Sequence, residues 1–281
     1  MKILVTNDDG YKAKGLAALV NAVKGFGEVT VIAPKKPQSA VSLSVTMGYQ
    51  PIAVKELGIL DGVRWIYLDG TPASCVKYAI DNVFLDGKPD VVVSGVNHGS
   101  NAATAACYSA TLGSAAEAAI NRVPGIGVSL DSFVPDADFS AVEALFPDIF
   151  KRILAIHDGK FGAYYNVNFP NLPVPSIKGM RACHMGFGHW EKEFEDWDPE
   201  AISAKGVKLS DFGVDPSKVV PEEGEVLYYM AGHFVDDPWN TEGADHRTVK
   251  DGYISIVEHN IDNTDYPAVS RLGDSGFNVD F

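Results

Sequence analysis

Asp8 and Asp9 form an adjacent carboxylate pair in the run Asn7-Asp8-Asp9-Gly10. Two other polar stretches could join them: Lys35–Ser44, rich in hydroxyls, and Gly95–Asn101 (GVNHGSN), with two asparagines flanking glycines. Together they offer oxygen donors, with no thiolate and no obvious imidazole. Mg²⁺, Mn²⁺ and Ca²⁺ prefer such a set. Two carboxylates facing one cleft at ~4 Å repel by about 4 kcal/mol at an effective dielectric near 20. A divalent cation between them removes that repulsion and leaves positions for water and a phosphoryl oxygen. The plainer reading is that Asp8 and Asp9 cap a helix or bond the turn. Their place at the end of the first strand, with two more polar loops to meet them, favours the metal.

The elements that must position these loops can be read from periodicity. Lys2–Thr6 (KILVT) is a short apolar strand that runs into the aspartates. Leu16, Leu19, Val20 and Val23 recur at helical spacing within Gly15–Phe26, and Glu28–Ala33 is a second strand stopped by Pro34. Strand, helix and strand within some thirty residues make a βαβ unit. Arg64–Leu68 reads as a further β segment, and Thr71-Pro72 opens a helix through about Phe84. Asp90–Ser94 (DVVVS) is the clearest strand and leads into the glycine-rich loop. A helix over about Thr111–Asn121, a strand at Ile126–Leu130 and a helix within Phe139–Ile156 complete a doubly wound α/β core with a mostly parallel sheet. In such sheets ligands bind beyond the carboxyl ends of the strands, where all three loops lie.

The second half changes character. Tyr164–Phe169, Met180–Met185, Val226–Met230 and Tyr253–Val257 read as strands, and the acidic stretch Glu191–Glu225 shows no period. The division expected is an α/β core over residues 1–160 and a β-rich C-terminal region over 161–281. That region would complete the fold and contribute to oligomerisation through an arm.

Composition narrows the function. With 23 Lys and Arg against 37 Asp and Glu, the chain carries a formal charge of −14 and no long basic run. Bulk charge therefore disfavours nucleic-acid duplexes and anionic membranes, and a phosphate ligand needs a local change of sign. No stretch approaches the roughly 18 apolar residues of a membrane span. Cys75, Cys107 and Cys183 are too few and too scattered for a disulfide framework, which fits a reducing, cytoplasmic setting. The dinucleotide GxGxxG after the first strand, the Walker A loop and the GxSxG nucleophile elbow are all absent. His184 and His189 have a weak metal spacing, and Cys107 lacks a local cation to activate it. Trp190, Trp197 and Trp239 could stack on a base, although the core or an oligomer interface is the commoner place for them.

These motifs resemble the SurE family of nucleotidases, the stationary-phase survival proteins. The resemblance is carried by VTNDDG at Val5–Gly10, APKKPQSAVSLSVT at Ala33–Thr46, DGTPASCV at Asp69–Val76 and PDVVVSGVNHGSN at Pro89–Asn101. YSAT at Tyr108–Thr111 looks like a variant of the family's YSGT, and weaker matches continue through NVNFPNLP (Asn166–Pro173), KGMR (Lys178–Arg181) and GYISI (Gly252–Ile256). The resemblance implies metal-dependent removal of phosphate from nucleoside monophosphates, with side activity on short polyphosphate or oligonucleotide ends. It implies one divalent ion per subunit, Mg²⁺ or Mn²⁺ with Ca²⁺ able to take the same donors, held by Asp8, Asp9, Ser39 and Asn97. Backbone N–H groups from Gly95 to Asn101, with the side chains of Asn7, Ser109 and Thr111, would cradle the phosphoryl oxygens. The nucleophile is then a metal-activated water or an aspartate, with Asp9 foremost. A homodimer or homotetramer is expected.

Two departures bear on the substrate. Ala110 stands where the family's YSGT has glycine, and Ala118 follows Glu117 where glycine is expected. If the first of these needs a positive φ, alanine would strain the pocket. The alternatives to a nucleotidase are a non-catalytic nucleotide or phosphate sensor on the same site, and a phosphatase acting on non-nucleotide esters.

Overall fold

A computed structural model describes residues 1–279 apart from 135 and 213. The first strand, β1 (Lys2–Thr6), is buried from Ile3 onward, and its alternating side chains serve both faces of a sheet. Ile3 and Val5 join one core cluster, and Leu4 the other. Helix α1 (Lys14–Val23) buries Leu16, Leu19, Val20 and Val23, the stripe its spacing predicts. β2 (Glu28–Pro34) follows, then an antiparallel pair, β3 (Val54–Leu60) and β4 (Val63–Leu68). Helix α2 (Pro72–Tyr78) starts on a Thr71 cap, whose side chain accepts from the Ser74 N–H. The helix expected through Phe84 ends sooner, passing into a wider π-type turn over Ala79–Val83.

β5 (Val91–His98) is longer than the apolar run DVVVS, because pairing with the next strand resumes after an irregularity between Ser94 and Asn97. Helix α3 (Ala110–Ile120), β6 (Gly125–Leu130), helix α4 (Ser140–Ile156) and β7 (Ala163–Phe169) continue the alternation. The central sheet has nine strands, six of which (β4, β2, β1, β5, β6 and β7) run parallel in that order. Helices α1 and α4 cover one face, where Leu16, Leu19, Phe146 and Phe150 pack on the strands. Helices α2 and α3 cover the other, with Cys75, Val76 and Ala118 against Leu4, Ile32 and Val92. This is the doubly wound α/β architecture expected. The chain runs outward one way from β1 and the other way from β5, so the neighbours β1 and β5 flank the switch point.

β8 (Met180–Ala182) is shorter than predicted and lies at the sheet's edge. The segment without a period folds into small pieces: β9 (Gly188–Glu191), β10 (Phe194–Asp196) and helix α5 (Pro199–Ala204). α5 buries only Ile202, which is why no hydrophobic repeat marks it. β11 (Tyr228–Met230) pairs antiparallel with β10, and β12 (His233–Asp236) with β9. Helix α6 (Asp245–Lys250) precedes β13 (Ile254–Asn260), which joins the central sheet between β7 and β8. Helix α7 (Tyr266–Leu272) follows, with no buried residue.

Candidate active site

The Asn7–Gly10 turn lies at the carboxyl end of β1, at the switch point. Asn7 is wholly buried and its amide donates to the Gly10 carbonyl at 3.1 Å, closing the turn. Asp8 is buried too, and its Oδ1 accepts from the Thr111 hydroxyl at 2.6 Å. The Asp8 carbonyl accepts from the Gln38 N–H at 2.7 Å, which seats the second loop, with Ser39 as its next and exposed residue, beside the carboxylates. Asp9 Oδ2 accepts a long bond, 3.4 Å, from the His98 N–H on β5. Asn97 turns its amide nitrogen onto the His98 and Gly99 carbonyls at 3.1 and 2.8 Å, which leaves its Oδ1 over. The three loops, together with α3, therefore meet at Asp8 and Asp9.

Burial and the nearness of Asp9 push the Asp8 carboxyl well above its ordinary range, against the lowering effect of the Thr111 hydroxyl. Burial pushes Asp9 up as well. No Lys or Arg pairs with either side chain among the described residues. Asn7 Oδ1 is a buried oxygen without a donor. Asp9 also lines a surface cavity of about 480 Å³ with Tyr11, Lys12, Lys35 and Lys36. Lys12, Lys35 and Lys36 bring positive charge to this cavity, Lys35 while paired with Asp69 at 2.9 Å.

The pH consequence has a definite sign. The folded, metal-free protein holds protons on this pair that the unfolded chain releases between the ordinary carboxylate range and about 7. Stability is therefore lost as pH rises through that window. Asp8→Asn removes the effect, so its metal-free melting point should exceed wild type by the equivalent of a few kcal/mol at pH 8, and by little at pH 4. Melting curves in a chelator at both pH values check this.

Residues not singled out from sequence hold the glycine loop in place. Asn168 Oδ1 accepts from the Asn101 N–H at 2.8 Å, and the Asn168 amide donates to Asn166 Oδ1 at 2.8 Å. The Asn166 amide donates to the Asn101 carbonyl at 2.9 Å, and the Asn101 amide to Ser129 Oγ at 2.8 Å. Asn101 thus has its backbone N–H, the group expected to meet phosphoryl oxygens, and its side-chain amide both donated inside the protein. Asp245, wholly buried, accepts from the N–H groups of Ala103, Gly186 and His246 at 3.0, 2.9 and 2.8 Å. It ties the end of the loop to the C-terminal segments. Gly95 lies inside β5, where an added Cβ would stand 2.2 Å from the Val128 carbonyl oxygen. Ser109 caps α3 by accepting from the Leu112 N–H at 3.1 Å. The His98 ring packs edge-to-face on Phe139 at 5.1 Å, where burial lowers its pKa, and it lies within electrostatic range of Asp8 while its backbone N–H bonds Asp9.

A profile described as "Survival protein SurE" matches residues 3–192. The protein named 5'-nucleotidase SurE of Christiangramia forsetii is 34% identical over 280 residues, covering 98% of this chain and 97% of its own. The protein of the same name from Syntrophobacter fumaroxidans is 36% identical over 276 residues, covering 97% and 98%. The chain belongs to the SurE family. The crystal structure of the SurE protein from Aquifex aeolicus superposes with a TM-score of 0.75 at 28% identity, covering 98% of this chain and 99% of that one.

Against the SurE pattern, Ala110 proves to be unstrained. It is the first residue of α3, buried, and is not among the residues with positive φ. Glycine would loosen a helical first turn without opening a new conformation that the pocket needs. Ala110→Gly should therefore leave kcat and KM within about twofold while lowering stability by up to ~1 kcal/mol. Steady-state kinetics and urea unfolding of the one variant test both halves.

Proposed function

We propose that this chain is a metal-dependent nucleotidase that hydrolyses nucleoside monophosphates to nucleoside and phosphate. The observation that carries the reading is the buried Asp8–Asp9 pair at the β1/β5 switch point, with no cationic partner and with neutral oxygens around it. Among the described residues no group of three or more His, Cys, Asp or Glu side chains is placed to hold a metal ion, so an ion at this pair takes two carboxylates and neutral donors. Asp8, Asp9, Ser39 and Asn97 would hold one divalent ion, Mg²⁺ or Mn²⁺ by donor hardness. The fit rests on three features: carboxyls destabilised by burial, the spare oxygen of Asn97, and the undonated Asn7 Oδ1. When bound, such an ion polarises a phosphoryl oxygen and makes a coordinated water more acidic.

The protein's own groups divide the remaining work. Thr111 fixes Asp8 through a short bond, so Asp8 is the rigid carboxylate of the pair. Asp9 has only one long contact and faces the cavity, which suits it to act on the attacking water or to be the nucleophile. Lys12, Lys35 and Lys36 draw the anionic substrate to the mouth. The Asn97–Asn101 loop, pinned by Asn166 and Asn168, forms a fixed wall beside the site, with its His98, Gly99 and Asn101 N–H groups already donated to Asp9, Leu130 and Asn168. Self-association is part of the reading, as a homodimer or homotetramer, and the exposed stripe Tyr266, Val269 and Leu272 on α7 supports it. Three unpaired cysteines support a cytoplasmic setting, and no helix is long and apolar enough to cross a membrane among the described residues.

Phosphate release from a panel of nucleoside monophosphates, set against glycerol 2-phosphate, tests the substrate class. The nucleotides should be turned over with a kcat/KM at least tenfold higher. Equal turnover of glycerol 2-phosphate would make the chain a general phosphatase. Binding without release from any ester would make it a sensor.

A further inference from the structure

A row of aromatic side chains runs from the start of α3 into the C-terminal segments, and the chemistry above does not use it. Tyr108 meets Trp190 edge-to-face at 6.2 Å, Trp190 meets Phe234 at 5.2 Å, and Phe234 meets the His246 ring at 5.5 Å. Trp190 is half-buried, whereas Tyr108 at the end of the row is 60% exposed. A large aromatic ring held by one aromatic neighbour and otherwise exposed is a stacking platform rather than a core residue.

Its position is fixed from both sides. The Tyr108 carbonyl accepts from the Ser42 N–H at 3.0 Å, and the Cys107 carbonyl from the Ser42 hydroxyl at 2.9 Å, so the loop that carries Ser39 docks on it. Thr104 donates to the Gly188 carbonyl at 2.7 Å, and Asp245 clamps Ala103, which locks the preceding turn to the strand pair of Trp190. Tyr108 is also three residues from Thr111, whose hydroxyl bonds Asp8. Its Cα therefore lies at most about 11 Å from that of Thr111. A ligand with its phosphoryl group at Asp8 and Asp9 thus has a planar surface within reach, on the side of the C-terminal segments.

We propose that Tyr108, braced by Trp190, is the nucleobase platform of this site: the base stacks on the open Tyr108 ring while the phosphoryl group sits at the aspartate pair. The proposal rests on the nucleotidase reading and adds the element that separates nucleotides from other esters. Stacking of this kind tolerates every base, because each has a π face, and removing the aromatic weakens binding by about 1–3 kcal/mol per base. A broad base preference, with discrimination against esters that carry no base, follows.

The test is the KM of Tyr108→Ala for AMP and for glycerol 2-phosphate, with Tyr108→Phe as the conservative variant. The KM for AMP should rise 5- to 150-fold with kcat within about twofold. The kinetics on glycerol 2-phosphate should not move, which also shows that the variant is folded, and phenylalanine should restore the AMP value. A second readout needs neither metal nor turnover. Adenosine should quench the tryptophan emission of the wild-type protein, and Tyr108→Ala should weaken that binding at least fivefold. An unchanged AMP KM together with unchanged adenosine binding in Tyr108→Ala would overturn the platform. Loss of the nucleotidase reading would show differently, as no phosphate release from AMP by the wild-type protein, and the adenosine titration would then decide the platform alone.

Discussion

Replacing Asp8 or Asp9 with Asn should lower turnover of a nucleoside monophosphate about a thousandfold, equivalent to about 4 kcal/mol of transition-state stabilisation. The size follows from charge. The two carboxylates are the anionic oxygens of the site, and each is held where burial raises its pKa in the metal-free protein. Ser39 and Asn97 offer neutral dipoles. Ser39→Ala should lose only ten- to a hundredfold and recover in part with excess Mn²⁺, because Ser39 is exposed and water can fill its place. Asn97→Ala should fall between, since its amide also bonds the His98 and Gly99 carbonyls. Metal-titrated kinetics of the four variants give the ranking. Serine and aspartate variants with equal losses would show that charge does not set it.

The second large effect concerns the fold at the switch point. Gly95 has φ +132°, and an added Cβ would stand 2.2 Å from a backbone oxygen of β6 that cannot swing aside. Gly95→Ala should therefore destabilise by on the order of 4 kcal/mol, combining backbone strain with overpacking. The control is Gly25→Ala, where nothing lies within 4 Å of the added Cβ and no positive φ is needed. That variant should stay within about 1 kcal/mol of wild type. Urea unfolding of the pair measures the difference. Equal stabilities would mean that β5 and β6 do not approach as closely as described. If Gly95→Ala folds but loses only activity, its glycine serves the ligand and not the sheet.

The parallel core was legible because its signals are local. KILVT, EVTVIA and DVVVS are apolar runs ended by polar loops, and the strand–helix alternation fixes parallel pairing. The meeting of the three polar loops at Asp8 and Asp9 followed from the rule about carboxyl ends, without knowledge of any contact, whereas Ser39 and Asn97 were singled out within those loops only by the resemblance. What supports the site was harder to see. Asn166 and Asn168 act on Asn101 across 65 and 67 residues of sequence. Their only local trace is two amides at i and i+2 in an otherwise apolar strand, which places both on one face where a buried partner is required. Asp245 acts on Ala103 across 142 residues, and no spacing announces that. His98 was visible in the loop, but its bond to Asp9 is made by a backbone N–H, which no side-chain signal announces. β9, β10, β12 and α5 escaped for a simpler reason: strands of three or four residues and a helix with one buried side chain are too short to show a period.

Phosphate release from AMP during titration of the metal-free protein with Mn²⁺ tests the central claim most directly. The reading predicts no release in EDTA, activity that saturates at one ion per chain, and loss of that saturation in Asp8→Asn. Full turnover in EDTA, or a wild-type Mn²⁺ titration curve retained by Asp8→Asn, would contradict it.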